Sequence, residues 1–222
     1  MLNKTSNAKA NISIEYIHDV ICSWCPIGLR HVNQAIDSLS NDMSFELKFL
    51  PFELNPHMPP KGEAIDAYFK RRMGWTSQQF SNYAETVVEK ANAVGLVYDY
   101  GKRTHYYNTV KAHRLIDIAE QSEQQLETVD ALTRLYFRDG GDISDTATLV
   151  DLAITLDLDA QKVKSVLDAE HPTPSLSDKH KRVKSLPVKS TPSMLINGEI
   201  LIQGSNSTES FIELFSDIYQ KQ

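Results

Sequence analysis

Apolar and polar residues alternate over Ile12, Ser13, Ile14, Glu15 and Tyr16, and the run stays apolar through Ile17. A period of two predicts a strand, and the loss of alternation at its end predicts one becoming buried on both faces. Leu29, Val32, Ala35, Ile36 and Leu39 follow at helical spacing, and Phe45, Leu47 and Phe49 then alternate with Glu46 and Lys48. Strand, helix and strand in succession predict a βαβ unit with parallel strands.

Residues 51–62, PFELNPHMPPKG, hold four prolines and a glycine and predict a loop. From Glu63 to about Leu186 the spacing is helical. Thr76 with Gln79 forms a candidate capping box for a helix through Ala91. Ala112, Leu115, Ile116 and Ala119 mark one helical face, Val129, Leu132 and Tyr136 a second, and Leu149, Leu152, Ala153 and Leu156 a third. Asp159 is a candidate N-cap for a helix ending near His171. Pro172 and Pro174 are read as breakers before a short basic helix over residues 177–185. Met194 to Ile196 and Ile200 to Ile202 flank Asn197-Gly198, the strongest short hairpin signal because both turn positions want positive φ. Ser207 to Tyr219 reads as a closing helix with Phe211, Leu214, Phe215 and Ile218 on one face.

The order is β-α-β, a helical block, then β-β-α. This predicts an α/β, thioredoxin-like fold formed by residues 12–62 and 187–222, with residues 63–186 inserted as an all-helical domain. A length of 222 residues with 41% apolar and 23% charged side chains fits a folded globular chain that needs no disulfide or zinc staple. The formal charge of -6 disfavours a nucleic-acid partner bound through a broad basic face. The absence of a long apolar run disfavours a membrane span, and the opening MLNKTSNAKANIS lacks the apolar core of a secretory signal, so a cytoplasmic location is expected.

In such a chain the two cysteines carry the chemistry. Cys22 and Cys25 are the whole complement and form a Cys-x-x-Cys at a strand-to-helix junction, which reads as a redox motif. A thiol at a helix N-terminus faces unpaired N–H groups and the positive end of the dipole, so Cys22 is the candidate nucleophile. Cys25, one turn on, is the candidate resolving thiol, within the Cα separation of roughly 5–6 Å that a disulfide allows. Two core thiols adjacent by accident are the bland reading. A zinc site would need two further ligands, and His18, His105 and His113 lack ligand spacing. No metal and no bound cofactor are therefore expected. Gly95-LVYDY-Gly101-Lys102 has one residue too many for a phosphate loop, with Arg103 where Ser or Thr is needed.

The segment IEYIHDVICSWCPIG resembles the active-site segment of the DsbA superfamily, and more closely its FrnE-like branch, at Asp19, Cys22, Trp24, Cys25 and Gly28. PFELNPHMPPKG resembles the loop after that family's second strand. Asn108 with Ala112, His113 and Arg114 resembles its Asn-x-x-x-Ala-His-Arg element, and TPSMLINGEILIQGS resembles its cis-proline hairpin. The resemblance implies thiol-disulfide exchange through a redox-active Cys22–Cys25 disulfide. It also implies a cis bond at Pro192, with the Thr191 backbone pairing an extended substrate. The partners implied are thiols or disulfides of proteins or of glutathione, glutathione being a candidate co-substrate, on a monomer or homodimer. Asp19 is a candidate for positioning the Cys25 proton, or else a helix cap. His113 is read mainly as a packing and hydrogen-bonding residue, and Trp24 as a shield for the disulfide that offers partner contact. Lys179, Lys181, Arg182, Lys184 and Lys189 are read mainly as a solvated face.

This chain departs from the family pattern at Ser23, where proline is usual, and at Ser190-Thr191, where Gly-Val is usual. Related 2-hydroxychromene-2-carboxylate isomerases and kappa-class glutathione transferases generally carry Ser where Cys22 stands, so a glutathione-dependent transferase or isomerase is the alternative activity. A chaperone-like binding module is a third, non-enzymatic reading.

Overall fold

The computed structural model describes residues 11–221. Residues 1–10, which entered the reading of the N-terminus, lie outside the described residues.

The central strand β1 (Asn11–His18) pairs in parallel with β2 (Ser44–Pro51), from which α1 (Trp24–Leu39) separates it. On its other edge β1 pairs antiparallel with β5 (Ser193–Ile196), and β6 (Ile200–Gln203) closes the sheet in the order β2-β1-β5-β6. The sequence pattern explains this centrality. Ile12, Ile14 and Tyr16 join the main core, while Ile17 on the opposite face packs with Leu50 and Val183. The hairpin turn has φ +50° at Asn197 and +72° at Gly198, as the Asn-Gly pair requires. The final helix α9 (Thr208–Gln220) is capped by the Ser207 side chain and buries Phe211, Phe215 and Ile218.

Between β2 and β5 the chain is mainly helical. It forms α2 (Ile65–Met73), α3 (Ser77–Ala93), α4 (Val110–Ala119), α5 (Gln125–Thr133), a π-helical turn over Arg134–Arg138, α6 (Thr146–Thr155), α7 (Ala160–Leu167) and α8 (Pro174–Lys184). The Thr76–Gln79 capping box is present, and Asp159 caps α7 through the N–H groups of Gln161 and Lys162. One apolar cluster runs from these helices into β1, α1 and α9.

Local chemistry shifts several expected boundaries. Helix α1 begins at Trp24, not near Cys22, because residues 19–22 form the turn out of β1 and Ser23 takes the N-cap position. Helix α7 stops at Leu167, short of His171. Pro174 opens α8 instead of ending what precedes it: proline at the first helical position lacks an N–H that would go unpaired there anyway, and the Thr173 side chain caps the turn. The helical block also contains a two-residue ribbon, β3 (Glu63–Ala64) with β4 (His105–Tyr106), too short to show a period. Much of the basic run is paired: Lys179 with Asp117 and Glu120, Arg182 with Glu15, and Lys181 with Asp178. No helix among the described residues is long and apolar enough to cross a membrane.

The pairing of Ile17 with Ser193 sets the start of β5 beside the end of β1. There α1 passes so close that a Cβ on Gly28 would lie 3.0 Å from the Tyr16 hydroxyl and 3.1 Å from Pro192 Cγ. Gly28→Val is therefore expected to destabilise the protein by about 1–3 kcal/mol through overpacking. Urea unfolding checks this, and an unchanged midpoint would contradict the packing described.

Candidate active site

Five residues, 19–23, carry the chain from β1 to α1. The Cys22 N–H donates to Asp19 O at 3.0 Å, and the Cys25 N–H donates to Cys22 O at 3.1 Å. Cys22 thus lies just before the N-cap and Cys25 is the second residue of α1. Both thiols are free and buried, Cys22 at 7% exposure and Cys25 at 2%. Pro26 sits in the first helical turn, where an absent N–H breaks no intrahelical bond.

The second half of the site arrives from β5. The Thr191–Pro192 peptide is cis, and the Cys22 thiol lies 3.5 Å from the Thr191 carbonyl as a donor. The Pro192 carbonyl accepts from the Gly204 N–H at 2.8 Å, which ties this bend to the strand after it. Trp24, half-buried, begins α1 beside the pair.

These surroundings separate the two thiols. Cys22 is held below the ordinary thiol pKa, first by hydrogen bonding from the Cys25 thiol, against burial, and then by Thr191 and the Trp24 N–H. Cys25 is pushed well above it, first by burial and then by its donation to Cys22 and the Cys22 charge. Tyr16, likewise kept protonated by burial and by the two sulfurs, donates to the Cys25 carbonyl at 2.6 Å.

Asp19 is fully buried. One carboxylate oxygen accepts from the Leu54 N–H at 2.7 Å, whereas the other, Oδ1, has no hydrogen-bond partner. Asp19 and Cys25 line one narrow internal cavity with Tyr16 and His18. His113 faces Asp19 and the loop, not the sulfurs: its Nε2 lies 3.2 Å from Phe52 O and 3.4 Å from Asp19 Oδ1. Its neighbour His18 is held neutral, mainly by burial. Among the described residues no cluster of three or more His, Cys, Asp or Glu side chains could hold a metal.

The residues that hold the turn from the other side were not singled out from the sequence. Tyr98 Oη donates to Ser23 O at 2.9 Å. Arg103, 1% exposed, donates to Ile21 O at 3.2 Å and to Ser23 Oγ at 3.3 Å, and the Tyr100 hydroxyl is 3.3 Å from the same Oγ. The guanidinium carbon sits 4.5–5.1 Å from the ring centres of Tyr100, Tyr106, Tyr136 and Phe137. Each such contact stabilises a desolvated cation by about 2 kcal/mol, against a burial penalty of several kcal/mol for a lone charge. A signal was present: residues 98–107 hold four of the nine tyrosines around this arginine.

The family described as DSBA-like thioredoxin domain matches residues 13–216. Protein YwbO of Bacillus subtilis (strain 168) is 22% identical over 216 residues, which is 95% of this chain and 99% of that protein. Among solved structures, a probable DsbA oxidoreductase from Streptomyces coelicolor superposes with a TM-score of 0.88 at 22% identity, covering 95% of this chain and 91% of that one. The cytosolic disulfide reductase DsbM from Pseudomonas aeruginosa, solved with GSH, gives 0.65 at 10% identity over 94% and 99%.

The asymmetry between the thiols sets a pH profile. Alkylation of the reduced protein is expected at Cys22 alone through the neutral range, its rate rising with pH to a plateau whose midpoint lies below that of an unperturbed thiol. Cys25→Ala is expected to move that midpoint upward, because the strongest influence holding it down is removed. Peptide mapping after iodoacetamide treatment checks both, and labelling of Cys25 ahead of Cys22 would reverse the assignment.

Proposed function

The chain belongs to the DSBA-like thioredoxin domain family, and on that premise we propose that it is a thiol-disulfide oxidoreductase working through a Cys22–Cys25 couple. The observation that carries this reading is the pair of unlike thiols, one lowered and one raised in pKa, beside the Thr191–Pro192 bend.

In the reducing direction, the Cys22 thiolate attacks one sulfur of a substrate disulfide. A mixed disulfide forms and the other substrate sulfur leaves as thiolate. Cys25 then loses its proton and attacks the Cys22 sulfur. This releases the second substrate thiolate and leaves the Cys22–Cys25 disulfide, two electrons having passed to the substrate. The reverse sequence oxidises a dithiol.

Asp19 Oδ1 is the acceptor for the Cys25 proton, since it lacks a hydrogen-bond partner and shares a cavity with that residue. His113 holds the Phe52 carbonyl in place and lies 3.4 Å from Asp19 Oδ1. Thr191 presents its carbonyl toward an extended substrate, and Pro192 shapes that backbone. Trp24 flanks the exposed side of the pair. Glutathione, bound by DsbM in its solved structure, is a candidate co-substrate alongside protein thiols. A glutathione transferase or isomerase would need no resolving thiol, and Cys25 favours the redox reading.

Substitution of the resolving steps tests this. Cys25→Ser is expected to accumulate a mixed disulfide on Cys22 and to lower disulfide-reduction turnover by about two orders of magnitude or more, because an intramolecular attack at high effective molarity is lost. Asp19→Asn keeps the bond to Leu54 and is expected to slow resolution about 10²-fold, the usual size of a general-base effect. Rapid-quench mass spectrometry follows both. Wild-type turnover in Cys25→Ser would rule out the two-cysteine mechanism.

A further inference from the structure

Arg103 is a buried cation with an unusual set of partners. Its donors go to Ile21 O and Ser23 Oγ, the groups on either side of Cys22. Four aromatic rings surround it, and no carboxylate among the described residues pairs with it. Ring faces attract a cation but carry no net charge, so the pocket behind the turn keeps a full positive charge. An apolar side chain of similar volume would fill such a box without the cost of burying an ion. The charge is therefore dispensable for packing, and both of its hydrogen bonds go to the residues that flank Cys22, the group that becomes an anion on reduction. Tyr98 borders both: its hydroxyl donates to Ser23 O, one residue past Cys22, at 2.9 Å, and after burial it is influenced by the Arg103 and Cys22 charges with opposite signs.

Ser23 completes the arrangement. A residue at the N-cap ordinarily uses its side chain to cap the helix, yet the Ser23 hydroxyl makes no cap bond and is turned to Arg103 and Tyr100. Proline here would offer no hydroxyl to either.

We propose that Arg103 is a positioning residue of the active-site turn: through Ile21 O and Ser23 Oγ it fixes the backbone on both sides of Cys22, and its charge favours the reduced, thiolate-bearing state over the disulfide. This rests on the Cys22–Cys25 couple proposed above. The disulfide carries no charge for Arg103 to stabilise, whereas the thiolate does. Losing Arg103 therefore makes the couple more reducing and Cys22 less reactive. Two further consequences follow. The redox site depends on a residue far along the chain, inside the largely helical segment. Ser23 and Arg103 act as one unit, so a change at either moves the same property.

The test equilibrates the full-length protein with glutathione buffers, in which the disulfide and two glutathiones exchange for the dithiol and glutathione disulfide. Cys22 alkylation at pH ~6 is measured in parallel. Arg103→Met is expected to shift the equilibrium about tenfold toward the disulfide, the lower end for loss of a neighbouring opposite charge, or about 30 mV more negative, with alkylation slowed about as much. Arg103→Lys, which keeps the charge without the two-sided grip, is expected to recover part of both. Ser23→Ala is expected to move both in the same direction by about threefold, as loss of one hydrogen bond allows. A folded Arg103→Met matching wild type in both readouts overturns the proposal. If that variant does not fold, Ser23→Ala decides, and wild-type values or a shift toward the dithiol overturn it. A wild-type protein with no reversible couple overturns the oxidoreductase reading itself, a result distinct from variants that merely coincide with a working wild type.

Discussion

The turn from Asp19 to Ser23 must bring a buried strand into a buried helix within five residues, and its own backbone bonds, Cys22 N–H to Asp19 O and Cys25 N–H to Cys22 O, leave Ile21 O to be paired from elsewhere. Buried polar groups left unpaired are costly, so side chains from distant segments have to satisfy them. Ile21 O is taken by Arg103 and Ser23 O by Tyr98, while at the start of the helix Tyr16 donates to Cys25 O. Tyr98 and Arg103 come from the 98–106 segment, which packs against the π-helical turn over Arg134–Arg138 through Tyr136 and Phe137. The stacked Tyr98 and Phe137 rings, 4.2 Å between centroids, join them. Dense packing of the helical segment is thus a condition for the shape of the redox turn.

The same constraint makes the two thiols unlike. Cys22 remains just outside the first turn of α1, where the Trp24 N–H and the Thr191 side chain favour its charge. Cys25 is carried inward onto the helix, where burial disfavours its charge. Ser23 at the N-cap, its hydroxyl held by Arg103 and Tyr100, sets where the helix begins. Two identical side chains three positions apart are thereby made unlike, as the proposed roles of nucleophile and resolving group require.

Features of short range and strong local preference were legible in the sequence. Asn197-Gly198 could form little but a tight turn, Thr76 and Gln79 could form their capping box without outside help, and Cys-x-x-Cys after an apolar strand marked the strand-to-helix turn where the two thiols meet. Pro174 misled because a residue that breaks a helix interior is also favoured at a helix start, and only the Thr173 cap decides between them. The β3–β4 ribbon is too short to carry a period. Arg103 was met only as the wrong residue for a phosphate loop. Its role depends on Tyr136 and Phe137, more than thirty positions away, meeting it around one charge, and no local pattern encodes that meeting. Asp19 and His113 could be named as candidates from resemblance, but their burial together and the side of Asp19 that stays unpaired are tertiary facts.

The central claim is that Cys22 and Cys25 form one reversible two-electron couple. Mass spectrometry of the acid-quenched wild-type protein across a series of glutathione buffers tests it most directly. The account predicts a single transition from dithiol to an intramolecular Cys22–Cys25 disulfide, fitting a two-electron slope with about 30 mV per tenfold change. Glutathione remaining attached to Cys22 at equilibrium, or two thiols that stay free throughout the series, would contradict it.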